Sequence, residues 1–338
     1  MEKTKIRISD VAQAAGVSNA TVSRVVNNRS VVNSETYRKV VNAMNALGYS
    51  YSHALSPEPA AGKEPVRDLI LLCLPTISNP FYNEITIGAQ NAAQRFGYKI
   101  LISTGPLDND GLVRLIGSIK HDHVAGIIIL TSLTPAVLEK LCAVTQVVQC
   151  CEYCEGYSVP YVSIDDYQST KGALQYLLSR GRKQIAFING PINYKYARHR
   201  KKAYLDFIVE NQLPVREDWI IQLSDVDFSM AVSAVTHLLS KQDLPTAVFA
   251  SSDVFASAVI KVAQRYKIPV PKELMVVGFD NIDVSSMCEP SITTVSQPKK
   301  QLGYMACELL IERLTDPSVR PKQILLDTEL VIRESTMD

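Results

Sequence analysis

The sequence predicts an α/β protein: a small all-α head, a linker, and a two-lobed body built on parallel sheets. Three observations carry that prediction. After residue 67, seven near-continuous apolar runs alternate with amphipathic stretches of helical period, which implies parallel strands covered by helices on both faces. Just before them, residues 50–66 read "SYSHALSPEPAAGKEPV", with three prolines, a glycine and small residues, the composition of a linker. The first 49 residues hold instead short segments of helical period around a Gly-Val-Ser turn.

In the head, Ser9 can cap a first helix whose Val11, Ala12 and Ala15 share one face, and Gly16 supplies the left-handed residue that ends it. Ser18 then caps a second helix over 19–27 with Val22, Val25 and Val26 inward. A third starts near Asn33 or Ser34, runs through Tyr37, Val40, Val41, Met44 and Leu47, and stops at Gly48. Two short helices joined by a tight turn and braced by a third are helix-turn-helix geometry. The body's strand-like runs are "LILLCL" (69–74), "KILIS" (99–103), "AGIIIL" (125–130), "QVVQCC" (146–151), "QIAFI" (184–188), "TAVFA" (246–250) and "LMVVGF" (274–279). This is too much chain for one ordinary sheet, hence two lobes. The expected boundaries are 1–49 for the head, 50–66 for the linker and 67–338 for the body, with lobe 1 about 67–165 and 297–330 and lobe 2 about 166–296.

Composition narrows the function classes. An apolar fraction of 46% and a charged fraction of 20% describe an ordinary globular chain. No apolar run approaches the roughly 20 residues of a bilayer span, and "MEKTKIRISD" lacks the apolar core of a signal peptide. The expected compartment is the cytoplasm, with no membrane partner. Residues 1–49 carry seven Lys/Arg against three acids, while the remainder holds 28 bases against 31 acids. A basic head on a mildly acidic body suits a polyanion, although charge alone also fits a solvated face. The seven cysteines include one Cys-x-x-Cys, Cys151 and Cys154, without a second pair at zinc spacing. His121 and His123 read as a helix end. No metal or cofactor is expected. No phosphate-binding Gly-rich loop, nucleophile elbow or metal cluster is present, so no enzyme is expected either.

With Val22, Val25 and Val26 facing in, the outward set of the second helix is Asn19, Ala20, Ser23, Arg24 and Asn27. These types suit a major groove: Asn can pair with adenine, Arg with guanine, and Ala can touch a thymine methyl. Ser18, Thr21 and Ser23 suit phosphate contacts. A small capped helical subdomain with a polar face would show the same spacing.

"ISDVAQAAGVSNATVSRVVNN" followed by "RKVVNAMNALGY" resembles the DNA-binding head of the lactose-repressor (LacI/GalR) family. The resemblance extends through "SNPFYNEITIGAQNAAQRFGY", "VSIDDYQSTKGALQYLLSRGRKQIAFINGP" and "VPKELMVVGFDNIDVSSMCEPSITTVSQP", which together cover nearly the whole chain. It implies a periplasmic-binding-protein-like body with a ligand cleft between its lobes, and base-reading roles for Asn19, Ala20 and Arg24. In the cleft it implies effector contacts from Phe81 and Tyr82, a clamp at Arg200, a covering aromatic at Phe228, and Asp253 and Asp280; Ala203 stands where the family usually has Gly. Members usually carry "PN" and a hinge helix with a minor-groove leucine after the head. Here Tyr51 and Ser52 replace that pair, Pro57 and Pro59 interrupt the segment, and Leu55 is the candidate wedge.

The resemblance implies a repressor of a carbohydrate-use operon, binding double-stranded operator DNA as a homodimer. Its small-molecule effector would be a sugar or sugar derivative. The segment "NYKYARHR", with Lys195, Arg198 and Arg200 beside Tyr194 and Tyr196, would suit a sugar acid or phosphosugar. It also fits a solvated basic helix start. The alternatives are a global catabolite regulator controlled by a phosphoprotein partner and, from another class, a sugar-binding transport protein.

Overall fold

The computed structural model describes residues 8–19, 21–22, 25, 34–47, 68–105, 107–214 and 216–337. The chain divides into two compact units, Met1–Val66 and Arg67–Asp338. In the first, α1 (Ile8–Ala15) ends where Gly16 takes φ +64°, and the Val17 amide closes the turn onto the Ala12 carbonyl at 3.0 Å. Ser9 lies inside α1 rather than capping it, because the helix already begins at Ile8. Ser18 does cap the next turn, its Oγ accepting the Thr21 amide at 3.2 Å. Val11, Ala12, Val22, Val25, Val40, Ala43 and Met44 form the small core that joins these turns to α2 (Ser34–Leu47). The linker, with Leu55, lies outside the described residues, as do Ala20, Ser23, Arg24 and Asn27.

The body's lobe 1 runs β1 (Leu69–Leu74), α3 (Phe81–Arg95), β2 (Lys99–Thr104), α4 (Asn109–His121), β3 (Val124–Ile129), α5 (Pro135–Cys142), β4 (Gln146–Cys150) and β5 (Tyr161–Ile164). Lobe 2 follows with α6 (Asp166–Ser179), β6 (Ile185–Asn189), α7 (Lys195–Glu210), β7 (Ile220–Gln222), α8 (Phe228–Leu239), β8 (Ala247–Ala250), α9 (Asp253–Tyr266), β9 (Met275–Asp280), α10 (Val284–Met287) and β10 (Thr293–Ser296). The chain then returns to lobe 1 with α11 (Lys299–Thr315) and β11 (Gln323–Leu326), and crosses back with β12 (Glu329–Val331). The strand orders are β11-β5-β4-β3-β1-β2 and β12-β10-β9-β8-β6-β7. Among the described residues every pairing is parallel except β10 with β12. Three segments therefore join the lobes, at 164–166, 296–299 and 326–329.

The expected return to lobe 1 over 297–330 ends too late. Glu329–Val331 already pairs with Thr293–Ser296 in the second sheet, because the chain has turned away after Leu326. The central strands are apolar on both faces; Ile70 to Leu74 are all at most 3% exposed, as doubly covered parallel strands require. On α3 and α11 two glycines bring the backbones together. A Cβ at Gly88 would strike the Lys300 carbonyl, and one at Gly303 would strike the Ile85 carbonyl. Among the described residues no helix is long and apolar enough to cross a membrane, all seven cysteines are free, and no His/Cys/Asp/Glu cluster could hold a metal.

Candidate functional site

A cavity of about 40 Å³ lies where the two sheets' carboxyl ends face each other, the usual ligand position in open α/β folds. Lobe 1 supplies an apolar wall. Asn79 Oδ1 accepts the Phe81 amide at 3.1 Å, which starts α3 with its first two residues turned inward. Phe81 and Tyr82 meet edge to face at 5.3 Å between centroids, beside Leu130 and Ile164.

Lobe 2 supplies the charges, apart from Glu152 of lobe 1. Arg200, on α7 and 4% exposed, lies 3.4 Å from the Phe279 ring centroid and 4.8 Å from that of Tyr196. Its Nε donates to Asp166 Oδ1 at 2.9 Å and its Nη1 to the Ser251 carbonyl at 2.7 Å. Asp280 closes β9 with φ +107°, followed by Asn281 at +52°. This left-handed pair is pinned by Lys299, whose Nζ donates to both carbonyls at 2.6 and 2.8 Å. Gln297 Nε2 donates to Asp280 Oδ1 at 2.8 Å. Burial pushes the Asp280 carboxyl up to about 6, against Arg200 and Lys299, which favour its charged form. Burial also raises Asp166, but Lys195 and Arg200 outweigh it and hold that carboxyl below its usual range. The cavity thus presents hydrogen-bonding groups on one side and ring faces on the other.

Residues 7–52 match the family model of bacterial regulatory proteins, lacI family, and residues 174–336 match a periplasmic binding protein-like domain. Catabolite control protein A of Priestia megaterium is 33% identical over 98% of this chain and 99% of its own. The chain belongs to the LacI family. The transcriptional repressor CytR of Escherichia coli strain K12 is 32% identical over 99% of this chain and 97% of its own. The solved complex of the transcriptional regulator CelR with cellobiose is 28% identical, covers 98% of this chain and 100% of that one, and superposes with a TM-score of 0.73. This LacI-family chain is a DNA-binding transcriptional regulator with a ligand-binding type of body.

Of the six effector positions that the family resemblance implied, the fold brings Phe81, Tyr82, Arg200 and Asp280 into one cavity. It does not bring Phe228 or Asp253. Asp227 Oδ1 caps α8 by accepting the Met230 amide at 2.8 Å, which turns Phe228 to the surface under Lys261; Val226 reaches the wall instead. Asp253 is fully buried beneath the Asp280 turn, accepting from the Ile282 amide at 2.8 Å and the Thr294 hydroxyl at 2.5 Å. Burial and the neighbouring Asp280 push its carboxyl up to about 8. Ser252, one residue earlier, lines the cavity. Asp253 thus supports the turn rather than meeting a ligand.

Sequence reasoning missed Glu152, Asp166 and Gln297 in the wall, where Tyr196 of the basic segment also stands. The doubled acid of "DDY" was a signal, since Asp165 caps α6 and leaves Asp166 free to face inward. Nor are Lys195 and Arg200 of the basic segment open to an anion. Lys195 is 1% exposed and its Nζ lies 2.7 Å from Asp166 Oδ2, so it shares with Arg200 a single carboxylate. Arg198 donates to the Asn193 carbonyl at 2.6 Å. In the head, Ser18 Oγ and Thr21 Oγ1 lie 2.9 Å apart and Asn19 is exposed, ahead of the inward Val22 and Val25.

Proposed function

We propose that this regulator is a repressor that binds its operator as a homodimer and is controlled by an uncharged carbohydrate held between the lobes. One observation carries the ligand class: the cavity wall holds Glu152, Asp166 and Asp280 against Arg200, with Lys195 behind it already joined to Asp166. Each cation at the wall is already held, Arg200 and Lys195 by Asp166 and Lys299 by the Asp280 and Asn281 carbonyls, so a phosphate or sugar carboxylate would find none free, whereas sugar hydroxyls can donate to Asp280 and the ring can stack over Phe81 and Tyr82. The cellobiose in the CelR complex supports an uncharged ligand. The cavity is far below the roughly 300 Å³ of a sugar-sized pocket, so loading goes with parting of the lobes about their three crossing segments. The unpaired edge β2, with Leu101 44% and Ile102 46% exposed, and Val113 of α4 at 70%, offers an apolar face for a second copy. A dyad-related pair of heads suits a pseudo-palindromic operator. The protein acts in the cytoplasm, by binding rather than by catalysis.

A thermal-shift panel of neutral sugars, sugar acids and sugar phosphates tests the ligand class. A neutral sugar at 100 times its dissociation constant should add about 2.7 kcal/mol of stability, and the same sugar should change operator retention in a gel shift. A sugar phosphate or hexuronate that stabilises more than every neutral sugar overturns the reading.

A further inference from the structure

Glu152, two residues beyond β4, is carried by lobe 1 but spends its side chain on lobe 2. It is 4% exposed. Its Oε2 accepts the Lys195 amide at 2.6 Å and its Oε1 the Tyr196 amide at 3.1 Å, the first turn of the helix that bears Arg200. Other bonds cross in the same place: Ser132 Oγ donates to the Asn193 carbonyl at 2.8 Å, and Lys195 Nζ donates to Ser163 Oγ of β5 at 3.0 Å. Tyr194, the residue before α7, makes no side-chain cap of its own, so the carboxylate that satisfies those amides comes from across the cleft.

We propose that Glu152 is a clasp between the lobes: it positions the first turn of α7 from across the cleft and makes closure sensitive to pH. This rests on the cleft being the effector site. In an open cleft Glu152 is a surface carboxylate; in the closed one burial raises it from the usual 4.5 to about 7, against Lys195 and the two amides, which favour its charged form. Asp166, at the start of α6, opposes the charge. Tyr82 of α3, Tyr194 and Tyr196 also face it, with Cys151 and Cys154 of its own loop. All five are pushed above their ordinary values and stay neutral in this range. Glu155 and Arg198 line the hollow on its outer side, where His199 of α7 meets Glu155 at 2.9 Å. Because the closed-state value lies above the open one, closing binds a proton between those two values and acid favours closure. Above about 7 the dependence levels off. From pH 8 to pH 6 the closed-to-open ratio should rise about tenfold.

Cys151, in the cavity wall, reports closure without any sugar or DNA, so the outcome is independent of the ligand class proposed above. Full-length protein is labelled with N-ethylmaleimide, and Cys151 modification is mapped by mass spectrometry relative to the exposed Cys142. The ratio should fall about tenfold from pH 8 to pH 6. In Glu152→Gln, with fold checked by circular dichroism, the ratio should become flat or nearly so across this range. If that variant does not fold, wild-type hydrogen exchange decides. Protection of the Lys195 and Tyr196 amides, corrected for intrinsic rates, should grow as pH falls. A flat wild-type ratio, a slope that survives in the Gln variant, or amide protection that does not change with pH overturns the proposal.

Discussion

The two walls of the cleft solve different problems. Lobe 1 presents ring faces and aliphatic groups, Phe81, Tyr82, Leu130 and Ile164, whereas lobe 2 presents Arg200, Asp280, Ser251 and Ser252. Apolar contact is non-directional and tolerates small displacements; charged hydrogen bonds need fixed geometry. Accordingly the lobe 2 groups are braced from behind, Arg200 by Asp166 and two rings, Asp280 by Lys299, Gln297 and the buried Asp253 beneath it. Phe81 and Tyr82 need only the start of a helix. Recognition in this fold therefore asks rigidity of one wall and shape of the other.

The contrast can be broken most forcefully at Asp166, the counter-ion that Lys195 and Arg200 share. Asp166→Ala leaves two buried cations facing each other, and urea unfolding should show a loss of about 3–5 kcal/mol. Next come the ligand-facing charges. Arg200→Ala or Asp280→Ala should weaken effector binding by about 2–4 kcal/mol in calorimetry and abolish the effector response, while operator binding persists. Unchanged effector affinity in either variant removes that residue from the site. The apolar wall should yield less: Phe81→Leu keeps the burial but loses the ring face, about 0.5–1.5 kcal/mol of ligand affinity. Phe228→Ala, on the outer surface of α8, should change effector affinity by less than about 0.5 kcal/mol. An effect as large as that of Phe81→Leu would place Phe228 over the ligand after all.

Most of the strands legible in the sequence are buried on both faces, such as Leu69–Leu74 and Met275–Asp280, because double coverage demands an unbroken apolar run; Lys99–Thr104 was legible too, although it lies at an exposed sheet edge. Thr293–Ser296, Gln323–Leu326 and Glu329–Val331 were not, being short and partly polar; what makes them strands is the neighbour each finds after a crossing, which no local pattern records. The site divides in the same manner. Family spacing located Arg200 and Asp280, but spacing fixes a backbone position and not a side-chain direction. At the starts of α8 and α9 the capping residue sets that direction, and so Val226 and Ser252 took the places expected of Phe228 and Asp253. Glu152 had no local signal, since its partner amide stands 43 residues away along the chain, and Asp166 had only the doubled acid, its partner Lys195 lying 29 residues on.

The glycine contacts between α3 and α11 have a mechanical consequence. Phe81 and Tyr82 stand at the head of one of these helices, and Gln297 and Lys299 at the head of the other. With Gly88 against the Lys300 carbonyl and Gly303 against that of Ile85, no side chain lies between the two backbones at these points to act as a cushion. The jaw that carries the ring faces and the strap that holds the Asp280 turn are thus one casting. Pressure on Phe81 is felt at Lys299 as displacement of the same rigid bar, and a single methyl group at Gly88 would be enough to pry that bar into two loose pieces.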